Sequence, residues 1–521
     1  MVFSSAIFLL AFLPIVFSLN FFIKKGFSNV LLLIASLIFY AWGEPYLVLL
    51  MMFSILFNWT IGKAIGAKNK EQGIGNNDQK QKNKERKTEN SDQKPKIKEQ
   101  KNRRTEEQKE KILLLIVGIV CNLSLLGYYK YAGFLVSILN DVAGKELLPV
   151  PEIALPIGIS FFTFQAISYI VDVYRGDVEH SGKLINVALY ISFFPQLIAG
   201  PIVKYRDINK QIEERTVTWT AVSAGFKRFI YGLAKKVLIS NVLGLCVDTV
   251  YSYDISAIDT KAAWIAALAY TFQIYYDFSG YSDMALGLGK MFGFDIPENF
   301  HYPYLSKSIS EFWRRWHISL GSWFREYVYI PLGGSRKGKT RTYVNLAIVF
   351  FLTGLWHGAD FSFILWGMYH GLFCIIERLG FKNCLEKSKI LSVVYSFLVV
   401  NFGWVLFRAG DIAVGFSMLA RMLNPWKYGM GSNGGIGNIG VTGESKLKGI
   451  IEQASYVTPK TMFIFACAVL GAGLLKQVVP AKIADRWRDS ALEAFYCVAL
   501  LTLCLASIAS DTYNPFIYFQ F

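Results

Sequence analysis

Long apolar runs, broken by short polar or basic segments, dominate the chain. Runs over residues 3–22, 30–42 and 46–61 predict three helices, the first ending at Lys24 and Lys25 and the second meeting Gly43, Glu44 and Pro45. Residues 66–111 reverse the pattern. They are rich in Lys, Glu, Gln and Asn with almost nothing aliphatic, so they cannot bury enough surface to fold as a unit and read as a disordered or loosely helical loop. Apolar helices resume at 112–126, with Tyr128, Tyr129, Lys130 and Tyr131 marking an interfacial end, and at 155–175. Residues 188–202 carry Pro195 and Gly200-Pro201 inside an apolar stretch. That predicts a kinked or re-entrant element, tolerated only where it is buried in protein or lines a cavity. Further spans are expected at 226–250, 264–292, 391–407, 462–475 and 495–508, and a long glycine-rich loop at 425–459.

This pattern divides the chain into N-terminal membrane helices (1–65), a basic cytoplasmic loop (66–111), a core (112–424), the glycine-rich loop (425–459) and C-terminal helices with an aromatic terminus (460–521). Composition agrees. With 53% hydrophobic and 16% aromatic residues and a mean hydropathy of +0.35, a soluble globule is excluded and an all-α polytopic membrane protein is expected. Residues 1–20 have no basic segment before the apolar run and no clear small-residue cleavage site, so they read as a retained helix. The net charge of +16 reports topology before it reports nucleic acid, for which no partner role is expected. Lys24 and the residues after Lys63 place the N-terminus outside the cytoplasm, whereas Lys204, Arg206 and Lys210 leave the topology of the middle open. Seven cysteines without a C-x-x-C pair read as small hydrophobes.

The candidate chemistry lies between Glu311 and His370. His357 ends the apolar run 346–356 and is followed by another, so its imidazole is expected at membrane depth, where it needs a partner or a function. His317 lies among Trp313, Arg314, Arg315, Trp316, Trp323, Phe324 and Arg325, a mixture typical of a membrane interface. An imidazole can take a proton from a hydroxyl near neutral pH, and arginine or lysine can hold phosphates, so acyl transfer is plausible; buried structural histidines and snorkelling arginines are the alternative. His370 reads as structural, and His317 and His357 lack the spacing of a metal pair. Asp277 and Asp283 are expected to bridge broken helices and to hold Arg314, Arg315 or His317, and Asp172 and Arg175 to share a helical face.

FWRRWHISLGSWFREYVYIPLGG at 312–334, followed by basic GSRKGKTR and by GLWHGADFSFILWGMYHG at 354–371, closely resembles the membrane-bound O-acyltransferase (MBOAT) family, in its bacterial polysaccharide O-acetylation branch of the alginate O-acetyltransferase type. The resemblance implies an MBOAT-like helical bundle, with broken or re-entrant helices around a central tunnel, in a bacterial cell membrane. It makes His357 the catalytic histidine and His317 the second one. No permanently bound cofactor is implied. Acetyl-CoA is the expected donor, docking from the cytoplasm with Arg336, Lys337, Lys339 and Arg341 near its phosphates. An extracytoplasmic polysaccharide acetyltransferase or accessory protein is the expected partner, with membrane lipids around the chain. The terminus DTYNPFIYFQF resembles an aromatic motif of the family, so Tyr518 either relays the acyl group or anchors the chain at the membrane interface. Two rival readings stay open: D-alanyl transfer from a carrier protein to teichoic acid, and a transporter built on intramembrane Asp and His.

Overall fold

Apolar side chains fill the inside of this bundle and also cover much of its outside, and a set of polar side chains is buried among the inner ones. In a computed structural model, residues 1–71, 94–429, 457–510, 513–515 and 517 are described. Among them, six helical segments are long and apolar enough to cross a membrane: Leu47–Asn69, Thr105–Ala143, Trp219–Tyr251, Lys389–Ala409, Pro459–Val478 and Ala491–Ser510. The chain is thus a multi-pass, all-helical membrane protein. Helix α1 (Lys94–Leu126) shows the outer surface, exposing Leu113, Ile116, Val120 and Leu123 along one stripe. Helix α2 (Ile159–Arg175) shows the inside: every residue from Ile159 to Val173 is buried, including Thr163, Gln165, Ser168 and Asp172.

The break expected at 188–202 is present. A helix over Leu184–Ser192 stops, one turn forms at Phe194–Leu197, and the backbone runs without helix to Lys204. Its freed amides find hydroxyls in place of water: Phe194 N–H donates to Ser36 Oγ (3.1 Å) and Ile202 N–H to Ser319 Oγ (2.9 Å).

Helices α3 (Trp219–Ala234) and α4 (Thr260–Met291) pack backbone to backbone. A Cβ on Gly232 would lie 2.5 Å from the Gly280 carbonyl oxygen, and one on Gly287 would lie 2.5 Å from that of Gly225. The glycines of the FSGYSDMALGLG stretch therefore make helix contacts. Here the sequence-based expectation is corrected, because α4 is one continuous helix of 32 residues. Asp277 pairs with Lys236 (2.5 Å), and Asp283 pairs with Arg228 (2.7 Å) and Lys235 (2.6 Å). Both acids are matched by cations on the α3 segment, and no ion pair joins them to Arg314, Arg315 or His317 among the described residues.

Asp172 and Arg175 do not pair with each other either. Asp172 accepts from the Tyr327 hydroxyl (2.6 Å), and Arg175 donates to the Glu326 carbonyl (3.1 Å). Glu326 also gathers Lys204 (3.1 Å) and Arg206. This cluster shares one end of the bundle with Asn69, which donates to the Val173 carbonyl (2.7 Å), and with the ion-paired Lys68 and Glu110. That end is the basic end. The described ends of the polar stretch, at Lys68, Asn69 and Glu110, and the basic middle segment meet there, on one side.

The last described residues enter the bundle. The Tyr513 hydroxyl donates to Asp248 (2.5 Å), Asn514 bonds Ser4 (3.0 Å), Lys236 reaches the Pro515 carbonyl, and Ile517 N–H donates to Asp277 (3.0 Å). Tyr518 lies outside the described residues, as do 72–93 and 430–456 of the two predicted loops.

Candidate active site

His317 sits at a forced corner. Helix α5 (Ile309–Arg315) ends two residues before it and helix α6 (Ile318–Phe324) begins just after, and His317 itself has φ 46° and ψ 52°. A β-carbon is disfavoured in that left-handed region, so the surroundings must hold the residue there. Asn299 is part of that hold: Ile318 N–H donates to its carbonyl oxygen (3.0 Å), and its Oδ1 meets Ser319 N–H (3.1 Å), Ser319 Oγ (2.9 Å) and His317 Nδ1 (3.2 Å). Because a backbone N–H can only donate, the Asn299 atom facing it is the oxygen. An amide oxygen only accepts, so Nδ1 of His317 carries the hydrogen. The lone pair then lies on Nε2, which is buried and has no hydrogen-bond partner among the described residues. The start of α5 is fixed by Glu377, whose buried carboxylate accepts from Ile309 N–H (2.5 Å) and Ser310 N–H (3.0 Å).

His357 ends helix α7 (Lys339–His357), which crosses helix α8 (Phe361–Ile376) in backbone contact. A Cβ on Gly354 would lie 2.3 Å from the Phe363 carbonyl oxygen, one on Gly367 2.3 Å from that of Phe350, and one on Gly358 2.1 Å from the Phe363 ring. Asp360 caps α8 by accepting from Ser362 N–H (2.7 Å), which closes the turn. The glycines of GLWHG and WGMYHG thus bring the two helices together with His357 at the corner. Gly354→Ala forces the carbonyl of Phe363 away and should cost about 1–3 kcal/mol; a lower unfolding temperature in detergent, with reduced activity, would register it.

The His357 ring is 4% exposed and packs against Trp356 (4.9 Å between ring centres), Trp366 (5.0 Å) and Phe407 (5.3 Å). Neither ring nitrogen has a hydrogen-bond partner among the described residues. Leaving a buried imidazole unsatisfied is costly, and such a group in a native fold calls for an explanation. Trp356 links the two histidines, since its indole lies 6.0 Å from the His317 ring on one side and touches His357 on the other. His370, also buried, packs behind Trp366 (5.2 Å).

One cavity borders His357, and a second lies beside Ile318, the residue after His317. The first, of about 70 Å³, is lined by Lys130, Ser160, Ile198, Trp356 and His357. The other, of about 300 Å³, runs along α7 between Phe350 and Thr353 on one wall and Trp313, Arg314, Leu320 and Arg325 on the other. Arg336, Lys337, Lys339 and Arg341 are exposed at the opposite end of α7 from His357. At 19 residues the helix separates them by about 28 Å. The structure therefore brings His317 and His357 together and leaves the basic turn at the basic end. Asn299 and Glu377 were not singled out by the sequence analysis.

Residues 173–418 match the family described as MBOAT, membrane-bound O-acyltransferase. That range contains both histidines and Asn299. Over 533 residues the chain is 38% identical to the probable alginate O-acetylase AlgI of Pseudomonas putida, covering 100% of each chain. The chain belongs to the membrane-bound O-acyltransferase family. A peptidoglycan O-acetyltransferase of Helicobacter pylori is 34% identical over 463 residues, covering 81% of this chain and 80% of that one. The teichoic acid D-alanyltransferase of Bacillus subtilis is 29% identical over 276 residues, 48% of this chain and 68% of that one. The acetylating relatives thus match this chain over a greater length than the D-alanylating one does.

Proposed function

We propose that this acyltransferase takes an acetyl group from acetyl-CoA at the basic end of the bundle and delivers it, near the opposite end, for O-acetylation of an extracytoplasmic polysaccharide. The observation that carries this reading is His357: a buried imidazole with both nitrogens unpartnered, at the far end of a helix that starts in a basic turn. The similarity to acetylating relatives, over 100% of both chains in one and 81% of this chain in another, supports acetyl as the group transferred. Arg336, Lys337, Lys339 and Arg341 bind the nucleotide phosphates, and the pantetheine arm follows the cavity beside Arg314 and Arg325 towards the histidines. His357 takes the proton of the acceptor hydroxyl as its oxygen attacks the acetyl carbon; the carbon–sulfur bond breaks and coenzyme A leaves as the thiol once it regains a proton. Nε2 of His317 hydrogen-bonds and orients the reacting groups.

Tyr518 is the first acceptor in this scheme. The residues just before it support that role, since Pro515 and Ile517 are bound to the buried Lys236–Asp277 pair inside the bundle. An extracytoplasmic partner transferase then moves the acetyl group to the glycan. The N-terminus is extracytoplasmic in the same scheme, and the membrane is the bacterial cell membrane.

Oriented vesicles test it. Acetyl-CoA supplied to the basic face should give coenzyme A release and an acetylated terminal peptide by mass spectrometry, and acetyl-CoA supplied to the other face should give neither. Tyr518→Phe should abolish the peptide label and lower partner-dependent glycan acetylation by at least about tenfold, as loss of a covalent carrier requires. Label that persists in the variant would remove Tyr518 from the mechanism, and release from the opposite face alone would reverse the topology.

A further inference from the structure

Lys130 is a charged side chain for which neither the family match, which begins at 173, nor the scheme above provides a role. It lies in the π-helical turn Gly127–Tyr131, just beyond α1, and joins no ion pair among the described residues. Its ammonium is spent on the end of α7: it donates to the carbonyl oxygens of Trp356 (2.5 Å) and His357 (3.3 Å) and lies 3.4 Å from Ser160 Oγ. The neighbouring Tyr131 hydroxyl donates to the Leu355 carbonyl (2.8 Å). Three successive carbonyls at the helix terminus, which the helix itself leaves unpaired, are thus satisfied by two consecutive side chains of another span. A cation at a helix C-terminus is also matched to the negative end of the dipole.

The arrangement has a consequence for the imidazole. Among the described residues the His357 ring has no hydrogen-bond partner, and it is held there by the packing of three aromatic rings and by the backbone of its own last turn. Gly358 follows directly in an extended conformation (φ −162°, ψ 153°), so the helix offers no further turn to steady it. The π-helical turn is what aims Lys130 at this terminus, and such turns are frequent at functional sites.

We infer that Lys130 is a positioning residue of the acyl-transfer reaction, holding the last turn of α7 so that the His357 ring stays in register with the acyl group and the acceptor hydroxyl. It acts through backbone carbonyls and touches neither donor nor acceptor. The inference rests on His357 being the base, as proposed above.

Lys130→Met removes the charge and the donors while keeping an unbranched chain of similar length, and Lys130→Arg keeps both. Purified wild type and both variants would be compared for coenzyme A release from acetyl-CoA. In parallel, amide hydrogen exchange would be followed in a peptide spanning 350–360. The expected result is a 10- to 100-fold fall in kcat for Lys130→Met, with KM for acetyl-CoA within about twofold of wild type, faster exchange at the end of α7, and recovery of most of kcat in Lys130→Arg. A kcat within twofold of wild type in Lys130→Met would overturn the inference, as would an arginine variant no better than methionine. Exchange unchanged at 350–360 would overturn it even in a preparation without turnover. Absence of release from the wild type would count against acetyl-CoA as donor and leave the exchange result to decide the role of Lys130.

Discussion

His357→Gln is expected to lower acyl transfer by roughly 10³-fold, within the range associated with loss of a positioned general base. Glutamine keeps much of the volume between Trp356, Trp366 and Phe407, so the aromatic packing survives. The imidazole makes no hydrogen bond within the described protein, so no partner is orphaned by its removal. The substitution should therefore separate function from folding: kcat falls, KM for the donor changes little, and the unfolding temperature in detergent stays close to that of wild type. A large loss of stability with intact residual turnover would mark His357 as a packing residue.

Asn299→Leu is the second large effect. Leucine has a similar volume but cannot accept, so Ser319 N–H, Ser319 Oγ and His317 Nδ1 all lose the oxygen they share. With Nδ1 released, nothing defines which nitrogen of His317 carries the hydrogen, and the left-handed corner at φ 46° loses one of its restraints. A fall in kcat of roughly 10- to 100-fold is expected, the usual scale for a residue that orients a functional histidine. Asn299→Asp keeps an acceptor in the same place and should recover much of the loss. Steady-state kinetics on the three proteins decides it, and equal losses in the two variants would contradict the oxygen-acceptor argument.

These two residues also mark what could be read in the sequence. The burial of His357 was legible because the histidine ends one apolar run and precedes another. Asn299 was not, because nothing in its own sequence neighbourhood tells which side chain its amide will face; the partner, His317, is set by the corner between α5 and α6. The same holds for ions. Acids at 277 and 283 had to be paired, and they are, but α3 and the turn that follows it supply the cations, Arg228, Lys235 and Lys236, where the nearer Arg314 and Arg315 were expected. The need for a partner follows from the solvent, and its identity from tertiary packing. The break at Pro195 and Gly200-Pro201 was legible for a local reason, since proline cannot donate and is tolerated only in a helix's first turn, where Pro195 lies. The hydroxyls of Ser36 and Ser319 that make the break tolerable were not.

The central claim is acetyl transfer from coenzyme A, and one measurement tests it most directly. Purified wild type is incubated with acetyl-CoA and, separately, with a D-alanyl carrier protein, and the released thiol is quantified alongside His357→Gln. Release from acetyl-CoA that depends on His357 is expected, with none above background from the carrier protein. Release from the carrier protein alone would contradict it and move the chain to D-alanyl transfer.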